Sequence, residues 1–377
     1  MKTNSKLKSI INKILYSINL VFALLLALTY LAVYIDPKIF WPLAILALGY
    51  KIFLYVNLFF IFIWVLKKKK WFIVSLLVII LGWNNLINTF QFPLLKKDPV
   101  ENIDLNNKQP IKVISYNVKL FNLFGWSETG PKLNEIISYI KQEKPDVVCF
   151  QEFYSKGNEN FSIKAINSKL YEYPYRHIVF FSKKSGNRNY GIATYSKHPI
   201  INRHKLKFDK TFNSSIYTDI KFNGDTIRIF NNHLQSTRLT RADHQFLDSL
   251  IYKKENSIDG FKNISYRVKE AFEKRSSQTQ KIVRVIEETK HPLIICGDFN
   301  DTPVSYTYHS LRENMNDAFV ETGDGTGVSF LGKKFLAFRI DYLLFSNHLV
   351  ARDFKTHNIK HSDHYPISSS FYLKKNK

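Results

Sequence analysis

Hydrophobic positions along the chain follow two different patterns, and the change lies near residue 90. The first part contains three long apolar segments, at residues 15–35, 40–66 and 71–90, in which Lys51 is the single charged residue. Each is at least about 20 residues long, the length of helix that crosses the hydrocarbon core of a bilayer. Helices buried in a soluble core keep a polar face, which these segments lack. The pattern therefore predicts about three transmembrane helices in residues 1–90.

The lysines around these segments predict an orientation in the membrane. The tail before the first segment carries Lys2, Lys6, Lys8 and Lys13, and residues 67–70, between the second and third segments, are all lysine. The positive-inside rule places both in the cytoplasm, so three crossings leave the rest of the chain outside it. We therefore expect an integral protein of a bacterial-type inner membrane with an extracytoplasmic domain. If one segment does not cross, that domain changes sides.

After a polar linker at residues 91–110, the pattern changes to short apolar runs that alternate with amphipathic stretches. Runs of four or five residues are typical of buried strands; they are Lys112–Tyr116, Val147–Phe150, His177–Phe181, Thr226–Phe230 and Leu293–Cys296. The segment 236–290 is polar and shows helical spacing of apolar residues only towards its end. This mixture predicts one α/β domain over residues 111–377.

Composition excludes two classes of protein, and the distribution of charge weakens the argument for an anionic partner. The chain is 45% hydrophobic and 15% aromatic, which is too apolar for a disordered chain. Its two cysteines, Cys149 and Cys296, are too few for a disulfide-stapled domain, and both fall in predicted core strands. The net charge of +23 indicates an anionic partner. However, residues 1–99 hold twelve lysines and two acids, so +10 of that charge reports membrane topology and +13 remains for the domain.

Polar residues stand at the ends of several predicted strands, where a purely structural strand does not need them. The motifs that share this feature are Ser115-Tyr116-Asn117, Gln151-Glu152, Asn231-Asn232-His233, Gly297-Asp298-Phe299-Asn300, Arg339-Ile340-Asp341-Tyr342 and Ser362-Asp363-His364. Singly, such residues are more often turn formers, caps or structural histidines. On extended backbone, Asp298 and Asn300 face the same way, whereas the adjacent Asp363 and His364 face opposite ways. The carboxylates offer hard oxygen donors that suit Mg²⁺ or Mn²⁺, and the lack of a Cys/His cluster argues against zinc.

In this order, the motifs resemble those of the endonuclease/exonuclease/phosphatase superfamily, which includes deoxyribonucleases and neutral sphingomyelinases. The run from Gly191 to Ile200 also matches, and the resemblance extends over about residues 111–370. It implies a four-layer αββα sandwich, in which two β-sheets pack face to face with helices outside. The three predicted transmembrane helices precede this domain and lie outside the resemblance.

The resemblance implies a metal centre and a water-activating group. Glu152 would be the main ligand of Mg²⁺ or Mn²⁺, with Asn117 beside it and Asp363 completing the site. Asp298 would orient or deprotonate the attacking water, and Asn300 would hold that water or a phosphate oxygen. Such a centre neutralises the charge of a phosphate ester while a carboxylate activates the nucleophile.

Two histidines complete the implied site. His364, oriented by Asp341, would contact the scissile phosphate as a donor or general acid. His233 would stabilise the transition state from the other side. Histidine suits acid–base work because its pKa lies near neutrality.

The residues leave the substrate open. Eight basic residues lie between Lys183 and Lys210 against one acid, and they suit a nucleic-acid backbone, anionic lipid headgroups or a plain solvated surface. Arg238 and Arg241 are further candidates for a phosphate clamp. The leading hypothesis is a membrane-anchored phosphodiesterase or endonuclease. The alternatives are a sphingomyelinase-like lipid or small-molecule phosphoesterase and a tethered receptor that binds phosphate without turnover. No protein partner is indicated.

Overall fold

The structure is a computed structural model, and it describes residues 2–92, 109–123, 130–157, 160–184, 188–209, 211, 213–237, 258–332 and 337–374. Its helices are α1 Lys2–Leu31, α2 Pro37–Phe40, α3 Pro42–Leu48, α4 Tyr50–Leu66, α5 Phe72–Leu81, α6 Trp83–Thr89, α7 Leu133–Glu143, α8 Ile163–Lys169, α9 Ile258–Glu287, α10 Tyr306–Arg312 and α11 Ala318–Thr322. Its strands are β1 Ile111–Asn117, β2 Val147–Lys156, β3 Tyr175–Lys184, β4 Arg188–Ser196, β5 Ile200–Leu206, β6 Ser214–Phe222, β7 Asp225–His233, β8 Leu293–Asp298, β9 Met315–Asp317, β10 Phe330–Leu331, β11 Ala337–Phe338, β12 Asp341–Ser346, β13 Leu349–Thr356 and β14 Ile367–Leu373.

The chain divides into two units. The helical unit comprises Met1–Thr89, Arg238–Ser276 and Pro303–His309, and the sandwich unit comprises the remainder. Most of the predicted linker, residues 93–108, lies outside the described residues, as do residues 238–257 with Arg238 and Arg241. The end of the segment 236–290 forms α9, as its apolar spacing predicted.

The helical unit corrects the prediction of three continuous membrane helices. One helix, α1, is long and apolar enough to cross a bilayer, over Lys6–Leu31. The predicted span 40–66 is broken, because α3 and α4 meet at 58°, and the predicted span 71–90 is broken, because α5 and α6 meet at 72°. By length and composition the described residues thus hold one clear span, or three if each bent pair crosses as one.

A glycine lies at each break. Gly49 lies between α3 and α4, and Gly82 lies between α5 and α6. A Cβ atom on Gly82 would lie 2.1 Å from the ring of Tyr30, so a larger residue here would displace that ring from its place on the corner. The Tyr30 hydroxyl also donates to the carbonyl of Val78 at 3.0 Å, which anchors α5 just before the break.

A buried hydrogen-bond network joins three helices of this unit. Trp64 Nε1 on α4 donates to Asn19 Oδ1 on α1 at 2.9 Å, and Asn19 Nδ2 donates to Ser75 Oγ on α5 at 2.6 Å. Ser75 Oγ in turn donates to Asn57 Oδ1 at 2.8 Å, and Asn57 Nδ2 donates to the carbonyl of Phe53 at 2.8 Å. The four linked side chains are fully buried. We call Asn19, Asn57, Trp64 and Ser75 the helix network.

The sandwich unit consists of two packed sheets. The first has the strand order β13-β14-β1-β2-β4-β3 and the second β5-β6-β7-β8-β12-β9. Each is mixed and has one parallel pair near its centre, β1 with β2 and β7 with β8. Helices α7 and α8 pack their apolar residues on the outer face of the first sheet. The predicted sandwich of two packed β-sheets flanked by helices is confirmed.

The core lies between the sheets and behind the first one. Val113, Cys149 and Cys296 belong to the cluster between the sheets, whereas Ile114 and Phe150 pack outward against α7 and α8. Because both faces of β1 and β2 are buried, these strands read as nearly continuous apolar runs. Both cysteines are buried free thiols, as their positions in core strands predicted.

Candidate functional site

Several predicted functional residues lie at the ends of neighbouring strands, namely Asn117, His233, Asp298 and Asp341. In the parallel pairs, Asn117 lies opposite Gln151 and His233 opposite Asp298. Strand β12 pairs antiparallel with β8 and sets Asp341 beside Asp298. The ends of both parallel pairs meet across the sheets, where Asn117 Nδ2 donates to Asp298 Oδ2 at 3.0 Å. The cluster that we call the site contains Asn117, Glu152, His233, Asp298, Asp341, Asp363 and His364.

Asp298 is the central carboxylate of the site. It follows Gly297, whose φ is +130° and where a Cβ atom would lie 1.9 Å from the carbonyl oxygen of Asn232, so the close approach of β7 and β8 requires glycine. Its Oδ2 lies 3.8 Å from Nε2 of His233 and 3.8 Å from Nε2 of His364. Burial, together with the charge of Asp341, raises the pKa of Asp298 to about 6. The group is therefore a base that works near neutral pH.

His364 is held by Asp341. Its Nδ1 donates to Asp341 Oδ2 at 2.8 Å, and the two residues are 6% and 1% exposed. Asp341 Oδ1 is buried and has no hydrogen-bond partner among the described residues. Burial alone would lower the pKa of His364, but the carboxylates of Asp341 and Asp298 raise it to about 10. The imidazole is therefore a cation that turns Nε2 towards Asp298.

His233 lies on the opposite side of Asp298 and links it to Glu152. Its Nε2 is 3.8 Å from Glu152 Oε1 as well as from Asp298 Oδ2. The next residue, Leu234, donates its N–H to the carbonyl of Asp298 at 2.9 Å, which fixes the end of β7 on the end of β8. Asp298 thus has one imidazole on each side.

Glu152 enters the site through a local irregularity of β2. Its φ is +49°, in the left-handed region, and the pairing of β2 with β4 shifts register between Phe150 and Phe153. Such bulges redirect a side chain and are frequent beside active sites. One third of the Glu152 side chain is exposed. Loss of water around the carboxylate, together with the charge of Asp363, raises its pKa.

The charges of Glu152 and Asp363 oppose each other, and this feature fits a divalent cation. Two carboxylates whose charges oppose each other are relieved by a cation between them, and oxygen donors are what Mg²⁺ and Mn²⁺ prefer. A second, buried group consists of Asp298, Asp341 and His364, whose ligand atoms lie within 4.8 Å of one another. There the His364–Asp341 hydrogen bond occupies one nitrogen and one oxygen. In the pair Glu152 and Asp363, Oδ2 of Asp363 is likewise occupied by Lys119.

The side chain of Asn117 is not oriented as the sequence predicted for a metal ligand. Its Nδ2 donates to Asp298 Oδ2 at 3.0 Å and to Glu152 Oε1 at 3.4 Å, and its Oδ1 accepts from the N–H of Lys119 at 3.1 Å. In this orientation the amide bridges the two carboxylates as a donor. Its role as a ligand stays a prediction.

Asn300 departs from the extended backbone that the sequence analysis assumed. Its φ is +54°, so it and Asp298 do not share one face of an extended strand, and that expectation is wrong. The chain turns here because the N–H of Asn300 donates to Asp298 Oδ1 at 2.8 Å, and asparagine tolerates the left-handed region. Its Nδ2 donates to the carbonyl of Leu234 at 3.0 Å. A contact with water or phosphate stays a prediction.

The adjacent Asp363 and His364 reach different partners, in line with their opposite directions. His364 meets Asp341, and Asp363 forms an ion pair with Lys119. The sequence analysis missed Lys119, although a lysine two positions after Asn117 was visible in the motif.

The sequence analysis also gave no role to the polar pair beneath the site. Gln151 Nε2 donates to Asn231 Oδ1 across the two sheets at 2.8 Å, and both side chains are fully buried. Polar residues inside otherwise apolar strands were the signal for this contact. The bond ties together the strands that carry Glu152 and His233.

Two residues of the basic stretch, Arg203 and Lys205, are exposed on β5, an edge strand of the second sheet, and Lys207 is exposed just after it. The side chains of Lys183 and Lys184 lie outside the described residues, as does Lys210.

Comparisons with known proteins agree on the fold. The sequence profile of the endonuclease/exonuclease/phosphatase family matches residues 114–364, and that of a domain of unknown function, DUF8431, matches residues 12–89. No curated protein sequence matches the chain.

Solved structures resemble the chain at low sequence identity. An endonuclease/exonuclease/phosphatase from Beutenbergia cavernae is 13% identical, with a TM-score of 0.50, over 71% of this chain and 72% of that one. A family protein from Leptotrichia buccalis is 17% identical, with a TM-score of 0.49, over 69% and 98%. The human nocturnin catalytic domain is 20% identical, with a TM-score of 0.48, over 74% and 99%. Because the family profile covers more than half of the sequence, the chain belongs to the endonuclease/exonuclease/phosphatase family, whose members are hydrolases of phosphate esters.

Proposed function

We propose that this chain is a membrane-anchored phosphodiesterase of the nuclease type, dependent on Mg²⁺ or Mn²⁺, with its sandwich unit outside the cytoplasm. The observation that carries the proposal is the position of Asp298 between two imidazoles, each 3.8 Å away. A base flanked by two imidazole donors is what the attack of water on a phosphate anion requires.

The site residues divide the chemistry between them. Asp298, with its pKa near 6, accepts the proton of the attacking water. His364, kept charged by Asp341, donates to an oxygen of the scissile phosphate. His233 contacts the phosphate from the other side of Asp298. Both imidazoles balance negative charge that grows on the phosphate oxygens in the transition state.

Glu152 and Asp363 would hold the divalent cation, and Asn117 supports Glu152 through its amide. When bound, such an ion neutralises phosphate charge and favours attack by an oxygen nucleophile. The chain contributes the acids, and the repulsion between their charges favours binding of the ion.

A nucleic-acid substrate is supported by the exposed basic residues of β5. The membrane anchor is supported by α1 and by the four lysines at residues 67–70, which separate α4 from α5. The proposed topology predicts that a reporter active only in the cytoplasm is silent when fused after Lys97. An active reporter would place the sandwich unit on the cytoplasmic side.

The full-length chain in detergent micelles should be tested with Mg²⁺, Mn²⁺ or chelator against DNA, RNA, sphingomyelin and bis-p-nitrophenyl phosphate. We expect metal-dependent cleavage of nucleic acid and of the small diester. Glu152→Gln should lower the rate by about 100-fold and Mn²⁺ affinity by about tenfold or more.

Glu143→Gln is the matched control, because Glu143 is also a partly exposed acid in an ion pair and lies outside the site. It should behave like the wild type. If the protein cleaves sphingomyelin and not nucleic acid, the proposal of a nuclease is wrong and the protein is a lipid phosphodiesterase. If none of the substrates is hydrolysed with either metal, the proposal that this chain is an enzyme is wrong.

A further inference from the structure

Lys119 places a cation at the rim of the site. Its ammonium forms an ion pair with Asp363 Oδ2, and the two side chains are 25% and 26% exposed. The Asp298, Asp341 and His364 group behind it is almost fully buried. The rim is therefore the part of the site that an entering phosphate reaches first.

The backbone that carries Lys119 is strained. Lys119, Leu120, Phe121 and Asn122 have φ values of 43°, 55°, 56° and 52°, four consecutive left-handed residues without a glycine. Side chains disfavour this region, and such runs persist only where the surroundings enforce them. A simpler turn would direct the Lys119 side chain elsewhere.

Packing and hydrogen bonds enforce this turn. The ring of Phe121 is buried against that of Phe153 at 5.5 Å, and its carbonyl accepts the N–H of Lys132 at 2.8 Å. Asn122 Nδ2 donates to the carbonyl of Gly130 at 2.9 Å. Together with the bond from the Lys119 N–H to Asn117 Oδ1, these contacts aim the ammonium at Asp363.

The charges of the site show what this cation does. The four carboxylates Glu152, Asp298, Asp341 and Asp363 face the imidazolium of His364 and the ammonium of Lys119. These six groups together carry a net charge of −2, which a single divalent ion balances. Lys119 also acts on Glu152 at a distance, because its charge opposes the rise in the Glu152 pKa.

We propose that Lys119 is an intrinsic cation of the site, which neutralises Asp363, contacts a non-bridging phosphate oxygen of the substrate, and leaves room for one divalent ion. This inference rests on the proposed function. It adds a residue that binds the phosphate and sets the number and affinity of the metal ions.

The test is a titration of the full-length chain in detergent micelles with Mn²⁺, followed by calorimetry. Wild type should bind one ion. Lys119→Met removes the repulsion between the ammonium and the ion and should tighten Mn²⁺ binding by about tenfold. Lys119→Gln should give the same change, and Lys119→Arg should bind like the wild type. A distorted fold would weaken binding, so a gain in affinity is specific to the charge.

Lys112→Met is the matched control, because Lys112 forms an ion pair of similar exposure with Glu143 at the other end of β1. It should leave Mn²⁺ affinity unchanged. Two Mn²⁺ ions bound to the wild type, or unchanged or weaker binding in both neutral variants, would overturn the proposal.

Kinetics give the second readout. With bis-p-nitrophenyl phosphate, Lys119→Met should raise KM about tenfold and leave kcat within about threefold, because Lys119 binds the phosphate in both ground and transition states. Lys119→Arg should restore KM. An unchanged KM in Lys119→Met would refute the phosphate contact. If the wild type hydrolyses no substrate, the proposed function fails, whereas the Mn²⁺ titration still decides the role of the Lys119 charge.

Discussion

Two of the groups of polar side chains that are buried in the described part of the chain differ in charge. In the helix network, Asn19, Asn57, Ser75 and Trp64 are neutral, and each hydrogen bond runs from one helix to the next or to the backbone. In the site, carboxylates and imidazoles lie between 2.8 and 3.8 Å apart.

This difference in charge indicates the role of each group. Neutral partners satisfy one another, so the helix network holds α1, α4 and α5 together at modest gain in stability. Charged groups in the sandwich shift one another's pKa, with Asp298 raised to about 6 and His364 to about 10. Such large shifts are frequent where protons are transferred, and they single out the second group as reactive.

The largest effect is expected when the imidazole of His364, which is hydrogen-bonded to Asp341, is removed from the charged group. His364→Ala should lower kcat about 10³-fold, because the donor to the phosphate is lost. Initial rates with bis-p-nitrophenyl phosphate would measure this. His198→Ala is the matched control, since His198 pairs with Asp146 at 3.6 Å outside the site, and its rate should stay within about threefold of the wild type. Equal rates for both variants would show that the charged group is structural.

The pH profile sharpens the same comparison. Catalysis needs Asp298 ionised and His364 protonated, so kcat/KM should rise with pH through about 6 and fall through about 10. Asp341 raises both pKa values through its charge. Asp341→Asn should therefore move both limbs of the profile to lower pH, by about one unit or more.

Rates from pH 5 to 11 would show the shift in the Asp341→Asn variant. Asp146→Asn, which alters a histidine–aspartate pair outside the site, should leave both limbs in place. If the pH profile is the same in Asp341→Asn and wild type, the charge of Asp341 does not raise the pKa values of Asp298 and His364.

The smallest effect is expected in the helix network. Ser75→Ala leaves Asn19 Nδ2 and Asn57 Oδ1 without this partner and should destabilise the helical unit by about 1 kcal/mol. Thermal unfolding in detergent would measure the loss, and the hydrolytic rate should not change. Ser17→Ala is the control, because the Ser17 hydroxyl bonds only within α1 in the contact described and is exposed. A fall in rate with Ser75→Ala would contradict the division into a structural and a reactive group.

Much of the site was visible in the sequence, because most motifs place polar residues directly after or before an apolar run. Residues such as Glu152, His233 and Asp298 stand where an apolar run stops, and a sheet brings such ends to one edge. Lys119 was not visible as a site residue. Its direction depends on four left-handed residues, which are set by the packing of Phe121 and not by any local signal.

In the helical unit, too, the sequence did not predict a feature that depends on contacts between distant residues. Apolar length predicted three spans, because hydropathy counts residues and does not detect bends. The 72° angle at Gly82 arises where Tyr30 of another helix touches the glycine, a contact between residues far apart in the chain.

The sequence alone was enough for an α/β domain and for the acids and histidines of its motifs, since hydrophobic runs and the polar residues beside them are local, and the sandwich followed from the resemblance of those motifs to a known family. Only the tertiary structure decided which of these groups touch. It placed Asp298 between His233 and His364, turned Asn117 into a donor and set Lys119 on Asp363. Those contacts join residues up to 244 positions apart, and their geometry follows from sheet packing and backbone strain that no local pattern records.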